Sequence, residues 1–391
     1  MDSVHDTVGW VDSPNGRGTF DILITNFMAL FVCVWTVLHH NIQAKRDSYS
    51  AIVRRKLRWA ALAIWAPEVL TLFAIMQWNA AKISVKEMHS LGCHEWTMVH
   101  AFYANAGGFL LAAPGFPAFP INATSIHYLV TRDQIWDRSK ADRLAKWVAF
   151  LQAGWLLCSI AARASQSLSI TPLEVFTVAF IVPTLATSYS WSRKPQNVNE
   201  PDVIYVDWTI ADLLVSAGDI AKDPYVDTPL DFVEKPVWDD WRRLPSLLHY
   251  GGLEKRPLER IPNDYSPPPP TGMEATMVWV VSVVHAMIHL VSWSFPFPTP
   301  METIIWRSSG VILLAVMPWF DFKFDLIWIW TREAKKNTFI RRWLFRGIAN
   351  SAYAIYIIAR ILIFAETFLS FRAMPADVYH EVQWTLFWPH I

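Results

Sequence analysis

Charge is what this chain has least of: Asp, Glu, Lys and Arg make up 17% of its 391 residues, where soluble domains run near 25%. The 34 basic and 34 acidic side chains cancel, so the concentrated positive surface that phosphate backbones require is missing and no nucleic-acid partner is expected. Cysteine is scarce as well. Cys33, Cys93 and Cys158 are scattered without a CxxC or paired spacing, which excludes a disulfide framework and a zinc knuckle and leaves three inert thiols. No GxGxxG, Walker, GxSxG or Asp-rich prenyl-diphosphate motif is found, so nucleotide use and diphosphate ionisation are unsupported and no cofactor is called for. The first twenty residues carry three Asp and one basic side chain, unlike the charged-then-apolar signal peptide, and the first apolar run is expected to serve as its own anchor.

What the chain has instead is apolar and aromatic mass, 53% hydrophobic with 22 Trp, and Trp favours the half-wet headgroup zone. A membrane span needs about 20 predominantly apolar residues. Met273–Phe295 is such a stretch, and it carries His285 and His289 where lipid disfavours ionisable groups, so both become candidates for function. The other runs are Phe20–Leu38, Leu57–Trp78, Thr97–Pro114, Lys146–Arg163, Pro172–Trp191, Ile304–Phe320 and Gly347–Phe371. Thr97–Pro114 is diluted by His100, Asn105 and the pair Gly107-Gly108. Its crossing is inferred from charge, because Arg132, Arg138, Lys140 and Arg143 follow it and cytoplasmic loops hold the excess of Lys and Arg.

These runs predict an all-α, polytopic fold of about eight transmembrane helices with both termini outside. Its parts are a five-span bundle over 1–191, a Pro-rich cytoplasmic insert over 192–272 with a short helix near Trp208–Ser216, and a three-span bundle over 273–391. Localisation is integral to a membrane, with the endoplasmic reticulum or plasma membrane expected. The sequon Asn122-Ala123-Thr124 falls on the inner side and is expected to stay unmodified.

Several stretches, among them VWTVLHHNI, EWTMVHAFYANAGGF, SITPLEVFTVAF, WSRKPQNVNEP, HLVSWSFPFPT and VYHEVQWTLFWPHI, together resemble a large group of uncharacterised fungal multi-spanning membrane proteins. The resemblance runs from about the first span to the last residue and implies an integral membrane fold and a fungal source. It implies no reaction, so the chemistry has to be read from the residues.

His285 and His289 are four apart and share one helix face. A metal would need a third ligand from Glu68, His94, His100 or Glu366, and no HExxH glutamate follows His285, so histidines bonded between helices are the plainer reading. Glu68 follows Pro67 near the middle of its run, where a missing donor leaves the helix irregular. A carboxyl buried without a cation suits general acid or base work. Arg360 lies at a similar depth, and an ion pair between the two is the structural alternative. His39 and His40 are expected to be exposed or to face the headgroups, and Arg163 and Glu174 to pair across the outer turn.

The candidate catalytic set is therefore Glu68, His285 and Arg360, with His100, Asn105, His289 and Glu366 as substrate-binding candidates and no metal. The expected function is a membrane-embedded acid/base enzyme, an isomerase or cyclase, acting on a lipophilic small molecule in fungal secondary metabolism. The alternative is a transporter, channel or sensor that uses the same groups, and a third reading is a scaffold whose insert recruits soluble partners. The bilayer is a partner in every case, and oligomeric state is left open.

Overall fold

The computed structural model describes residues 7–13, 16–44, 46–121, 133, 135, 143–198, 200–217, 259–263, 270–333 and 339–384. Its helices are α1 (Thr19–Val37), α2 (Tyr49–Trp65), α3 (Pro67–Ser90), α4 (Met98–Asn105), α5 (Arg143–Ser165), α6 (Pro172–Ser190), α7 (Ile210–Ala217), α8 (Met273–Val291), α9 (Pro300–Glu333) and α10 (Phe339–Leu369). Five of the helical segments, Thr19–Val37, Leu144–Ser165, Pro172–Ser190, Met273–Ser294 and Ser351–Arg372, are long and apolar enough to cross a membrane, and the bent pair α2–α3 would make six if it counted as one span. α9 encloses the expected run Ile304–Phe320 and continues past it to Glu333. The sequon, the tetraproline tract up to Pro269 and most of the 192–272 insert lie outside the described residues.

Local chemistry sets the helix ends. Thr171 and Glu174 form a reciprocal capping box, Glu174 Oε2 taking the Thr171 N–H at 2.9 Å and Thr171 Oγ1 taking the Glu174 N–H at 3.1 Å, with Pro172 at the first helical position where its missing donor costs nothing. Ser48 caps α2 through the Ala51 N–H. Between α2 and α3, Pro67 cannot continue the ladder, and the two axes meet at Ala66 with a bend of 111°.

Two sequence expectations change here. Leu57–Trp78 is not one straight helix but an elbow, the geometry of a broken span or of a re-entrant pair, and both of its limbs reach the same end of the bundle. On α2, Lys56 bonds Asn197 beyond the C-terminus of α6; on α3, Gln77 meets Lys194 at that same end and Lys82 meets Glu274 at the start of α8. Thr97–Pro114 is not a spanning helix either. Its helical part, α4, has 8 residues, about 12 Å at the helical rise and far short of a bilayer core of roughly 30 Å.

Glycine explains the break after α4. Gly107 sits at φ +87°, and a Cβ on Gly108 would stand 2.4 Å from the Tyr103 ring, so this close backbone approach admits only glycine. The chain then forms a small sheet ordered β3-β2-β4. β2 (Phe109–Ala112) pairs antiparallel with β3 (Phe119–Pro120) and parallel with β4 (Asp202–Tyr205), so Leu110 faces both Pro120 and Val203.

The opposite end of the bundle brings together the first and last described segments. β1 (Thr7–Val8) pairs with β5 (Met374–Pro375), and Ile22, Leu173, Phe371, Met374 and Val378 form a satellite core beneath them. The expected Arg163–Glu174 pair does not form. Glu174 binds Arg17 at 2.5 Å, while Arg163 donates to the carbonyls of Ser169, Asp377, Val378 and His380 at 2.8–3.0 Å.

Candidate functional site

Two prolines build the centre of the molecule. Pro183 lies inside α6 and has no N–H, so the Ala179 carbonyl one turn earlier has no helical donor. His285 of α8 fills it, Nδ1 standing 2.9 Å from Ala179 O. A carbonyl can only accept, so Nδ1 carries the proton and Nε2 presents its lone pair to the interior. The α2–α3 elbow leaves the carbonyls of Ile64 and Trp65 in the same position, and Arg360 of α10 takes both, Nη2 to Ile64 O at 3.0 Å and Nε to Trp65 O at 2.9 Å.

Nη1 of that guanidinium lies 3.2 Å from His285 Nε2 and 3.4 Å from His289 Nε2, and its carbon sits 5.4 Å from the centre of the Phe176 ring, a cation–π contact. Glu68, in the first turn of α3, accepts the Tyr356 hydroxyl on Oε1 and places Oε2 3.7 Å from His285 Nε2. Three elements thus bring a carboxylate, two imidazoles and a guanidinium to one point, with Glu68, His285 and Arg360 each 3% exposed or less. No direct Glu68–Arg360 ion pair occurs among the described residues; His285 stands between them. Glu68 Oε2 and His289 Nδ1 are buried without a hydrogen-bond partner among those residues.

Of the seven sequence candidates, four meet at this point: Glu68, His285, Arg360 and His289. The other three stand elsewhere. His100 Nδ1 accepts from the Thr97 N–H and hydroxyl at 3.1 and 2.8 Å and stacks on Trp96, so it caps α4. Asn105 ends α4 beside the sheet. Glu366 lies nearly two turns beyond Arg360 toward the termini, near Glu302 and Arg372, and its Oε2 is buried without a hydrogen bond among the described residues. No three His, Cys, Asp or Glu side chains stand close enough to share a metal ion among the described residues.

A second constellation, at the end away from the termini, contradicts the expectation of exposed histidines. His39 is 5% exposed, because α5 and the end of α6 cover it. Its Nδ1 donates to Val37 O at 2.8 Å, its Nε2 accepts from Lys146 at 3.1 Å, and its ring packs on Trp191. Lys194 is buried against Asn41 Oδ1 and Gln77 Oε1, both at 2.9 Å, and lies over Trp191.

Burial of its ammonium pushes Lys194 down to about 7. Desolvation, followed by the nearby Lys146, holds His39 well below the usual imidazole range, and desolvation with Lys194, Lys56, Arg55 and Arg260 takes His40 down to about 3. Both rings are neutral in a positive surrounding. The sequence could have signalled this site, since His39, His40 and Asn41 and the Arg193–Asn197 stretch both stand out as polar clusters at the ends of spans on the same side.

Two cavities open here. One of about 460 Å³ lies between α1, α5 and the inner half of α6, and one of about 90 Å³ adjoins it at Thr36 and Lys146. Neither is lined by Glu68, His285 or Arg360.

A helical bundle with several helices able to cross a membrane, a proline-built elbow and an ionisable cluster at its core defines the class of protein. Within that class, the chain belongs to DUF8562, a family of unknown function, whose model matches residues 2–217. No curated protein and no solved structure matches it. The matched region carries Glu68, His39 and Lys194, whereas His285, His289 and Arg360 come from the remainder.

Proposed function

We propose that this is a multi-pass membrane protein that performs acid/base chemistry on a lipophilic molecule, an isomerase or cyclase of fungal secondary metabolism. It would cross the bilayer six times, through α1, α5, α6, α8, α9 and α10, with α2–α3 as a re-entrant pair. Both termini would lie outside and the basic sheet-bearing end inside, as the distribution of Lys and Arg favours. The observation that carries the catalytic reading is the convergence of a buried carboxylate and a buried imidazole at 3.7 Å, under a guanidinium bonded to that imidazole.

In such a centre Glu68 Oε2, which has no hydrogen-bond donor, is the atom that takes or returns a proton. His285 Nε2 is the neighbouring site for it, and Arg360 steadies the negative charge without being consumed. Moving a proton from one carbon to another needs no redox partner. The test is loss of the gene in the producing host, with accumulation of a precursor expected. Re-expression of wild type should restore the product while Glu68→Gln and His285→Ala should not, and a product profile unchanged by both variants would remove the reading.

The 111° break supports a second reading, a transporter, channel or sensor, because discontinuous helices at membrane depth are where such proteins handle ions. Proteoliposome flux abolished by Glu68→Gln would favour it over the enzyme.

A further inference from the structure

We infer that the paired cavities at the inner end form a binding site for a single-chain amphiphile with an acidic head, its tail in the larger cavity and its carboxylate or phosphate in the smaller one. The inference goes beyond the proposed acid/base reaction and does not depend on it, since α6 separates this site from His285.

The larger cavity is built by helical spacing. Ala149, Phe150 and Ala153 of α5 line it together with Lys146, on one face of that helix, and Ile181, Thr184, Leu185 and Ser188 repeat the pattern on α6. Small residues at 149 and 153 leave the space open, and a volume of about 460 Å³ falls within the range of small-molecule pockets, roughly 300–1,000 Å³. Leu185 and Tyr189 on its rim are exposed, which gives an approach from the side that would face lipid.

The smaller cavity mixes apolar walls, Trp35 and Leu38 among them, with polar groups. Lys56 and Lys146 line it with His40, Gln196 and Asn197, and neither lysine has a carboxylate partner among the described residues. Among those residues Lys146 hydrogen-bonds the neutral His39, and Lys56 the Asn197 amide oxygen at 3.2 Å. Two cations with neutral partners at the mouth of an apolar chamber are a positive charge that no described carboxylate compensates, and an acid head would complete it. Lys146 lines both cavities, so head and tail would join at that point. Neutral lipophiles gain nothing from the lysines, and a free anion gains nothing from the chamber.

Binding of radiolabelled hexadecanoate, hexadecyl phosphate, hexadecanol, acetate and inorganic phosphate to the full chain in zwitterionic nanodiscs tests this. At least one of the two long-chain acids should bind saturably and at least tenfold more tightly than hexadecanol, with acetate and phosphate ion not binding. Lys146→Gln should weaken the acid at least tenfold and leave hexadecanol unchanged, while Ala153→Phe should exclude the tail and weaken both. Equal affinity of acid and alcohol in the wild type overturns the proposal without any variant. So does acid binding that persists in Ala153→Phe, or binding of the free anion as tight as that of the amphiphile.

Discussion

Replacing Arg360 by Met keeps most of the stem volume and removes the guanidinium that ties α10 to the α2–α3 elbow. Four donor contacts go with it, to Ile64 O, Trp65 O, His285 Nε2 and His289 Nε2. The two carbonyls have no donor inside their own helix because Pro67 ends it, so they would be left buried and largely unsatisfied. Charged hydrogen bonds contribute about 1.5–3 kcal/mol each, but they share one side chain and do not add. The better guide is the cost of removing one member of a buried ionic set, about 3–5 kcal/mol.

Adding Glu68→Gln to Arg360→Met should recover part of that loss, because the carboxylate would no longer be left without its cationic neighbourhood. A coupling of about 1–3 kcal/mol is expected. Arg360→Lys should fall between wild type and Met, since a point-like ammonium cannot reach carbonyls and imidazoles together. Unfolding in mixed micelles of increasing denaturing-detergent fraction measures all five proteins, the Glu68→Gln single variant included. An Arg360→Met protein within about 0.5 kcal/mol of wild type, or a strictly additive double variant, would refute the idea that this side chain holds the elbow.

Lys194 gives a pH signature. Its folded value of about 7 lies below the ordinary 10.5, so between the two the unfolded chain binds more protons and stability should rise with pH from about 7 to 10.5, staying flat below 7. Lys194→Met should lose that rise in a series of melts, and an unchanged slope would count against burial of the ammonium. Gly108→Ala should cost about 1–3 kcal/mol, because its methyl meets the Tyr103 ring at 2.4 Å; an unshifted Tm would mean the approach is looser. Asn122 should show no mobility shift on glycosidase treatment, and a shift would place the sheet on the outer face.

Much of the helical layout was legible. α1 begins within one residue of the predicted run, and α6 and α8 begin where Pro172 and Met273 suggested, because lipid-facing apolar length is a local property. The elbow was not legible, for a reason that charge counting cannot overcome. Lys and Arg report which side a loop is on, and hence only whether an even or odd number of crossings separates two loops. Two crossings by 57–78 and 97–114 return the chain to its starting side just as a re-entrant pair does.

Pro67 marked the break without fixing its angle. The convergence of Glu68, His285 and Arg360 was readable from their depth, but the bridging place of His285 was not, since it depends on a carbonyl that Pro183 frees on another helix. His39 looked like a headgroup residue because nothing in its own neighbourhood says that Lys146 and Trp191 will cover it.

The elbow carries Glu68 into the core, and the whole arrangement stands on both limbs opening to one side of the bilayer. Single cysteines placed at Ser50 before the elbow and at Ser90 after it, both exposed, in a chain with Cys33, Cys93 and Cys158 replaced, can be challenged with a membrane-impermeant maleimide in sealed, oriented vesicles. Both should react from the same face and both be protected from the other. Labelling of the two from opposite faces would show that 49–90 crosses the membrane and would dissolve the site built on its turn.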